Sequence, residues 1–171
     1  MVEYRTIDPI EANVRIRELQ DVYQAVFSAP PYSEGPEMVG RFAEWIAEES
    51  KALGFQMNIA LCSDQMVGFA YGYVKSAGKW WRGADRPVSK EVKSADKFAV
   101  MEWAVIPDER GHGIGRQLLE NLLAGREEPY ATLMVNPAAD ARTIYERWGW
   151  RHVASTNPGK KPGMDIMLRE L

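Results

Sequence analysis

The sequence predicts an α/β domain with the element order β-α-α-β-β-β-α-β-α-β-β, and three observations predict it. Segments with apolar residues at helical spacing interleave with segments of alternating or continuous apolar residues along the whole chain. One stretch, Phe98 to Leu123, reads as a strand, a turn with three glycines and a helix in immediate succession. The chain has 171 residues, of which 46% are hydrophobic and 26% charged, which suits one globular domain over residues 1–171 with a sizeable core.

The first strand is Val2 to Ile7, broken by Asp8-Pro9. Ile16, Leu19, Val22, Tyr23, Val26 and Phe27 then recur at helical spacing, so the spacing predicts a helix over residues 10–28. Ala29-Pro30-Pro31-Tyr32 ends it. Pro36 opens a second helix with Val39, Phe42, Ala43, Ile46 and Leu53 as its buried stripe and Gly54 as its stop. Residues 55–62 and 66–74 read as a hairpin around Ser63-Asp64-Gln65. The polar connection from Lys75 to Lys97 follows, and a connection of that length is usually functional or mobile.

The central unit begins with eight apolar residues interrupted only by Glu102, ended by Pro107-Asp108. Gly111, Gly113 and Gly115 form the turn. Ile114, Leu118, Leu119, Leu122 and Leu123 place a helix after it, and Gly125 stops that helix. A helix start points free backbone N–H groups at the mouth of such a turn, where a phosphate is favoured. The spacing G-x-G-x-G differs from the G-x-G-x-x-G of dinucleotide folds, and Arg116-Gln117 replaces the Lys-Ser or Lys-Thr of a P-loop. Beyond this unit, Tyr130 to Val135 is a strand. Asn136-Pro137 reads as the cap and first turn of a helix running to Trp148, with Gly149 as its stop. Trp150 to Ala154 and Met164 to Leu168 are the last two strands, joined through Ser155 to Gly159.

Val105-x-Pro107 followed by Arg110-x-x-Gly113-x-Gly115 closely resembles the pyrophosphate-binding signature of the GNAT superfamily of acyl-CoA N-acyltransferases. The element order is similar to that family's over nearly the whole chain. The resemblance implies a GNAT fold: a central mixed, mostly antiparallel twisted sheet of six to seven strands flanked by about four helices. It implies acetyl-CoA as cosubstrate, with its pyrophosphate held by Arg110, Gly111, His112, Gly113, Ile114, Gly115 and Arg116. The pantetheine arm would lie along the strand at Trp103, Ala104 and Val105. The segment Ala141 to Trp150 is similar to the family's A-x-x-x-Y-E-x-x-G-F/W, so Tyr145 is expected to protonate the departing thiolate. Where the family often has an asparagine three residues before that alanine, this chain has Ala138. Asn136 lies two positions earlier, as a pantetheine contact or a helix cap.

A carboxylate inside an apolar strand is costly unless it is paired or functional. Glu102 is therefore a candidate base for an amine that arrives as an ammonium ion, or else a carboxylate paired with an arginine or tyrosine. Tyr32, Glu34, Trp80, Trp81 and Arg82 lie on the irregular segments that border the family's acceptor groove. Tyr32, Trp80 and Trp81 are the acceptor-binding candidates, with a loop packed on the core or on a partner as the alternative. Cys62 reads as core packing, and the methionines as core filler.

The expected reaction is transfer of an acetyl group to a primary amine, most simply a small molecule's, by direct attack in a ternary complex. Acetylation of a protein or peptide amine and a catalytically silent acyl-CoA-binding module are the alternatives. A formal charge of -3 argues against a general nucleic-acid binder. No apolar run approaches the ~20 residues of a membrane span. The first residues lack the basic and apolar regions of a signal peptide. One cysteine and two unclustered histidines argue against a disulfide framework and a metal site, and fit a cytoplasmic protein. Many GNAT members dimerise, so the resemblance extends to a homodimer.

Overall fold

The computed structural model describes residues 1–156 and 163–171. Seven strands form one sheet in the order β1-β2-β3-β4-β5-β7-β6. They are β1 (Val2–Ile7), β2 (Gln56–Cys62), β3 (Gln65–Lys75), β4 (Lys97–Val105), β5 (Tyr130–Val135), β6 (Arg151–Ser155) and β7 (Asp165–Glu170). The helices are α1 (Pro9–Val14), α2 (Ile16–Phe27), α3 (Pro36–Glu49), α4 (Lys90–Ser94), α5 (Ile114–Leu123) and α6 (Asp140–Arg147). Antiparallel ladders join β1 to β2, β2 to β3, β5 to β7 and β6 to β7, whereas β4 and β5 pair in parallel. The sheet is thus mixed and mostly antiparallel, as expected.

The chain divides into two units. The first comprises Met1–Tyr73 and Met101–Ala124. Its core lies where α2 and α3 cover one face of β1, β2 and β3, through Leu19, Tyr23, Phe42, Ile46, Met57, Ile59, Phe69 and Tyr71. Tyr23 stacks on Phe42 at 4.3 Å between ring centroids, and Phe42 on Phe69 at 5.6 Å. Ring pairs of this kind add about 0.5–1.5 kcal/mol each beyond the area they bury. Gly68 on β3 permits a close approach to β4: a Cβ there would lie 2.7 Å from the Ala104 carbonyl oxygen.

The second unit comprises Val74–Val100 and Gly125–Leu171. The parallel ladder runs from Lys97↔Tyr130 to Val100↔Leu133. Arg142 of α6 binds Asp165 of β7 at 2.7 Å, which fixes the helix against that strand. Lys97 is fully buried, and its ammonium donates to the carbonyls of Val92, Lys93 and Ala95 at 3.1, 3.2 and 2.5 Å. These are carbonyls at the C-terminal end of α4, where a cation is favoured. Desolvation lowers the Lys97 pKa.

Four boundaries differ from the sequence expectations. The helix expected over residues 10–28 breaks at Arg15 into α1 and α2, and Arg15 bridges the break through ion pairs to Glu11 and Glu18. The second helix ends at Glu49, so Leu53 lies beyond it and is exposed rather than buried. The polar connection from Lys75 contains α4, capped by the Ser89 side chain on the Val92 N–H. The helix expected at Asn136-Pro137 starts at Asp140, because the Asn136 side chain accepts from the Ala138 N–H at 2.9 Å and holds a turn instead. Part of the junction between the last two strands, Asn157 to Gly159, falls outside the described residues.

Candidate functional site

The turn before α5 is built from two kinds of glycine. Gly111 and Gly113 have φ of +80° and +79°, where other residues are strained, and a Cβ at either would meet no atom within 4 Å. Their surfaces are open. Gly115 is different: a Cβ there would lie 2.6 Å from the Trp103 ring, and the Trp103 indole N–H donates to the Gly115 carbonyl at 2.8 Å. Gly115 therefore seats the start of α5 against β4. Gly113 is the N-cap residue of α5 and supplies no side-chain cap, so the first-turn N–H groups have no side-chain partner there. The Arg110 side chain turns back to the Val105 carbonyl at 3.1 Å, bracing the turn on the end of β4. His112 is exposed, with Nδ1 3.3 Å from the Glu109 carbonyl oxygen. Ile114 is buried and anchors the helix, while Arg116 pairs with Glu120 at 2.8 Å. An open, glycine-lined helix start of this kind fits a diphosphate.

Glu102 lies on β4 just upstream. Among the described residues it accepts no hydrogen bond and forms no ion pair. Its residue keeps some accessible surface, but its carboxyl is desolvated. Desolvation first, then the neighbouring carboxylates of Glu34 and Glu49, push its pKa up to about 8. The arginine or tyrosine partner that would make it a structural residue is thus not found among the described residues. Tyr32 packs edge-on to Phe27 at 4.9 Å between centroids and is half-buried.

In the second unit, Tyr145 is buried on α6 with its ring 5.7 Å from that of Trp150. Asn136 uses its carbonyl oxygen in the turn already described. Trp81 is buried, donates its indole N–H to the Thr132 hydroxyl at 2.9 Å and carries the Lys75 ammonium 4.4 Å above its ring. Trp80 packs on Val92, Tyr130 and Leu168. The acceptor role expected of the two tryptophans thus competes with packing roles that both already fill.

Residues 89–167 match the family described as an acetyltransferase (GNAT) domain. The chain is also similar to a GCN5-like protein acetyltransferase of Mycobacterium tuberculosis, with 31% identity over 121 residues. The similarity to GNAT acetyltransferases thus covers part of the chain, residues 89–167 in the family match. The match to the mycobacterial relative covers 63% of this chain and 58% of that protein, so the chain spans less than two thirds of the relative's length. The GNAT fold is seen in solved structures too. A Pyrococcus horikoshii protein gives a TM-score of 0.71 at 23% identity, over 100% of this chain and 99% of that one. The PaiA N-acetyltransferase of Thermoplasma acidophilum, solved with coenzyme A, gives 0.62 at 13% identity, again over 100% and 99%.

The surroundings of Glu102 were not legible as a set. Tyr23 of α2 donates to Glu34, and Tyr71 of β3 donates to Glu49 of α3 at 2.7 Å. Glu34 was visible only as a loop residue, and Glu49 carried no signal of its own. Their signal was indirect: tyrosines at buried helix and strand positions need acceptors for their hydroxyls. Among the described residues no group of three or more metal-ligating side chains stands in metal-binding geometry, and no helix is long and apolar enough to cross a membrane.

Proposed function

We propose that this chain is an acetyl-CoA-dependent N-acetyltransferase acting on a primary amine, with a small cationic molecule as the acceptor. The observation that carries this reading is the pairing, within one unit, of the open glycine turn before α5 with a desolvated carboxyl on the strand that leads into it. The family match and the coenzyme A complex of a protein with the same fold support the same reading.

In this reading the first-turn amides of α5 and the backbone of Gly111 to Gly113 hold the diphosphate of coenzyme A. The cosubstrate supplies an acetyl group activated as a thioester. Backbone groups of Trp103, Ala104 and Val105 align the pantetheine arm. An acceptor arrives as an ammonium ion and must lose a proton before its nitrogen can attack. Glu102 takes that proton, directly or through one water, with a pKa close enough to neutrality for efficient transfer. The neighbouring Glu34 and Glu49 favour a positively charged acceptor over a neutral one. Tyr145 is the proposed donor to the departing thiolate, on the match of its segment to the family pattern. Tyr32 is the acceptor-binding residue we propose on the first unit.

A protein or peptide amine is the second reading, favoured by the curated relative, whose name makes it a protein acetyltransferase. A panel containing aliphatic diamines, aminoglycosides and N-terminal peptides, assayed with acetyl-CoA for thiol release, separates the two. Turnover confined to peptides rejects the small-molecule acceptor. Coenzyme binding without thiol release on any amine rejects the enzyme.

A further inference from the structure

α6 brings little of its own to hold it in place. It has eight residues, its N-cap residue Ala139 supplies no side-chain cap, and the residue it buries is Tyr145. A helix this short is marginal by itself and depends on what it packs against. Its directed link to the sheet is the ion pair of Arg142 with Asp165 of β7, both side chains 17% exposed. Arg142 lies three residues before Tyr145, so the two share a face of the helix. Asp165 is itself fixed. It stands opposite Val135 of β5 on one side and Ser155 of β6 on the other. Its Oδ2 accepts from Arg142 Nε at 2.7 Å, and its Oδ1 from the Ser155 hydroxyl at 3.0 Å. His152 Nε2 stands 2.9 Å from that hydroxyl oxygen and 3.4 Å from Oδ1. The Ser155 backbone is pinned from its other side, its N–H donating to the Asp85 carboxylate at 2.9 Å and its carbonyl accepting from the Asp85 N–H at 2.7 Å. On α6, Glu146 pairs with Arg142 Nη1 at 2.6 Å. Desolvation alone would raise the Asp165 pKa, but the hydrogen bonds from Arg142 and Ser155 and the charges of His152 and Arg142 outweigh it and hold the carboxyl below its ordinary value.

We infer that Arg142 and Asp165 are positioning residues for Tyr145: their ion pair locks the turn of α6 that carries the tyrosine onto the start of β7, and so sets where its hydroxyl points. The inference rests on the reading of Tyr145 as the donor to the departing thiolate, and it adds what keeps that donor in register. The Tyr145 ring also touches Trp150, at 5.7 Å between centroids. Apolar burial is non-directional, so that contact keeps the ring inside without fixing the rotation of the helix. A charge-assisted bond between a guanidinium and a carboxylate is directional. The chain of contacts from Asp85 through Ser155 and Asp165 to Arg142 therefore ties α6 to backbone that is already held. A proton donor has to come within about 2.6–3.2 Å of the atom it serves. A displacement of about 1 Å at the hydroxyl is enough to lower a rate by about 100-fold.

The test follows the Tyr145 ring itself. The full chain is labelled with fluorotyrosine and read by 19F NMR, the Tyr145 resonance being identified by its loss in Y145F. That resonance should move in R142M, which removes the donor, and in D165N, which keeps the shape and removes the charge. In R142K, which keeps the charge without the planar fork, it should lie between the two positions. A pair that only adds stability would lower the melting temperature and leave the resonance of the folded protein where it was, and that result overturns the inference. Turnover gives a second readout. With acetyl-CoA and an amine that the chain acetylates, R142M should lower kcat by up to about 100-fold while coenzyme A affinity by calorimetry holds. It should lower kcat no further when added to Y145F, because the hydroxyl it positions is already gone. Where Y145F is impaired, an equal fall on adding R142M with and without the hydroxyl overturns the inference too. If the resonance moves as stated but Y145F keeps full turnover, the positioning stands and the reading of Tyr145 as the donor fails.

Discussion

Replacing Glu102 by glutamine should make the protein more stable, and by an amount that depends on pH. The Glu102 pKa is raised from 4.5 to about 8 in the folded chain. Between those values the folded state keeps a proton that the unfolded state has released. For a carboxyl whose folded pKa is raised, stability is therefore lost as pH climbs from the unfolded value to the folded one. Each pH unit of that window is worth about 1.4 kcal/mol, so the ceiling is about 5 kcal/mol. Glu102 keeps some accessible surface, and solvent around it reduces the cost to roughly 1–3 kcal/mol. Glutamine has nearly the same shape and no charge, so the variant escapes this cost. Urea unfolding of both proteins from about pH 4 to about pH 9 measures it, because contributions from all other groups cancel in the difference. The two stabilities should agree near pH 4, separate above about pH 5 and hold a constant gap above about pH 8, with the variant the more stable. Parallel curves would refute the raised pKa. A variant less stable at every pH would mean that Glu102 makes a stabilising buried contact, and the argument from desolvation would fall.

The other predictions concern the turn and α6. Gly113→Val finds no atom within 4 Å of its new Cβ but must adopt a left-handed backbone, at about 1–2 kcal/mol. Calorimetry should show coenzyme A binding lost with the circular dichroism spectrum kept, and retained affinity would remove the turn from the coenzyme site. Gly115→Ala drives a methyl group to 2.6 Å from the Trp103 ring and should cost about 1–3 kcal/mol in thermal or urea unfolding. That penalty should largely disappear on a Trp103→Ala background, and strict additivity of the two changes would contradict the contact. Tyr145→Phe should lower turnover by ~10²–10⁴ with coenzyme affinity unchanged, and full turnover would leave Tyr145 a packing residue.

How much of this could be read from the chain depended on how local each feature was. The strand, turn and helix from Phe98 to Leu123 were legible because hydrophobic period, proline and glycine act within a few residues of one another. Gly125 and Gly149 were legible as helix stops for the same reason, and both have positive φ. The break at Arg15 was not, because the apolar period continues past it and the arginine pairs with acids on both sides. Asn136-Pro137 carried a cap signal that the chain uses for a turn, and nothing in the local sequence separates the two uses. Glu102 was legible as an anomaly, a charge in an apolar strand. The carboxylates that raise its pKa were not: Glu34 and Glu49 are 15 residues apart in sequence, and each is held by a tyrosine of another element. Lys97 was hidden in the same way, as a charge at the start of a strand whose partners are carbonyls at the end of α4.

The glycines and the tyrosines divide the first unit into parts that obey packing and parts that do not. Gly68 and Gly115 are glycine because a backbone carbonyl or an indole ring already occupies the space of a Cβ. Gly111 and Gly113 have open space there and need glycine only for their backbone angles, so nothing in the described chain fills the surface they leave. The same contrast holds around Glu102. Tyr23 and Tyr71 are satisfied at both ends, by ring contacts and by a carboxylate, whereas the Glu102 carboxyl has no hydrogen-bond or ion-pair partner among the described residues. A core that satisfies its tyrosines while leaving a carboxyl unpaired beside them is less stable than one with an apolar residue at that position. The arrangement lowers stability at neutral pH, and in the proposed reading it provides a proton acceptor for the incoming amine in return. Features that go against local preference without a compensating contact are the ones expected at functional sites. In this unit they are Glu102 and the open turn that its strand leads into.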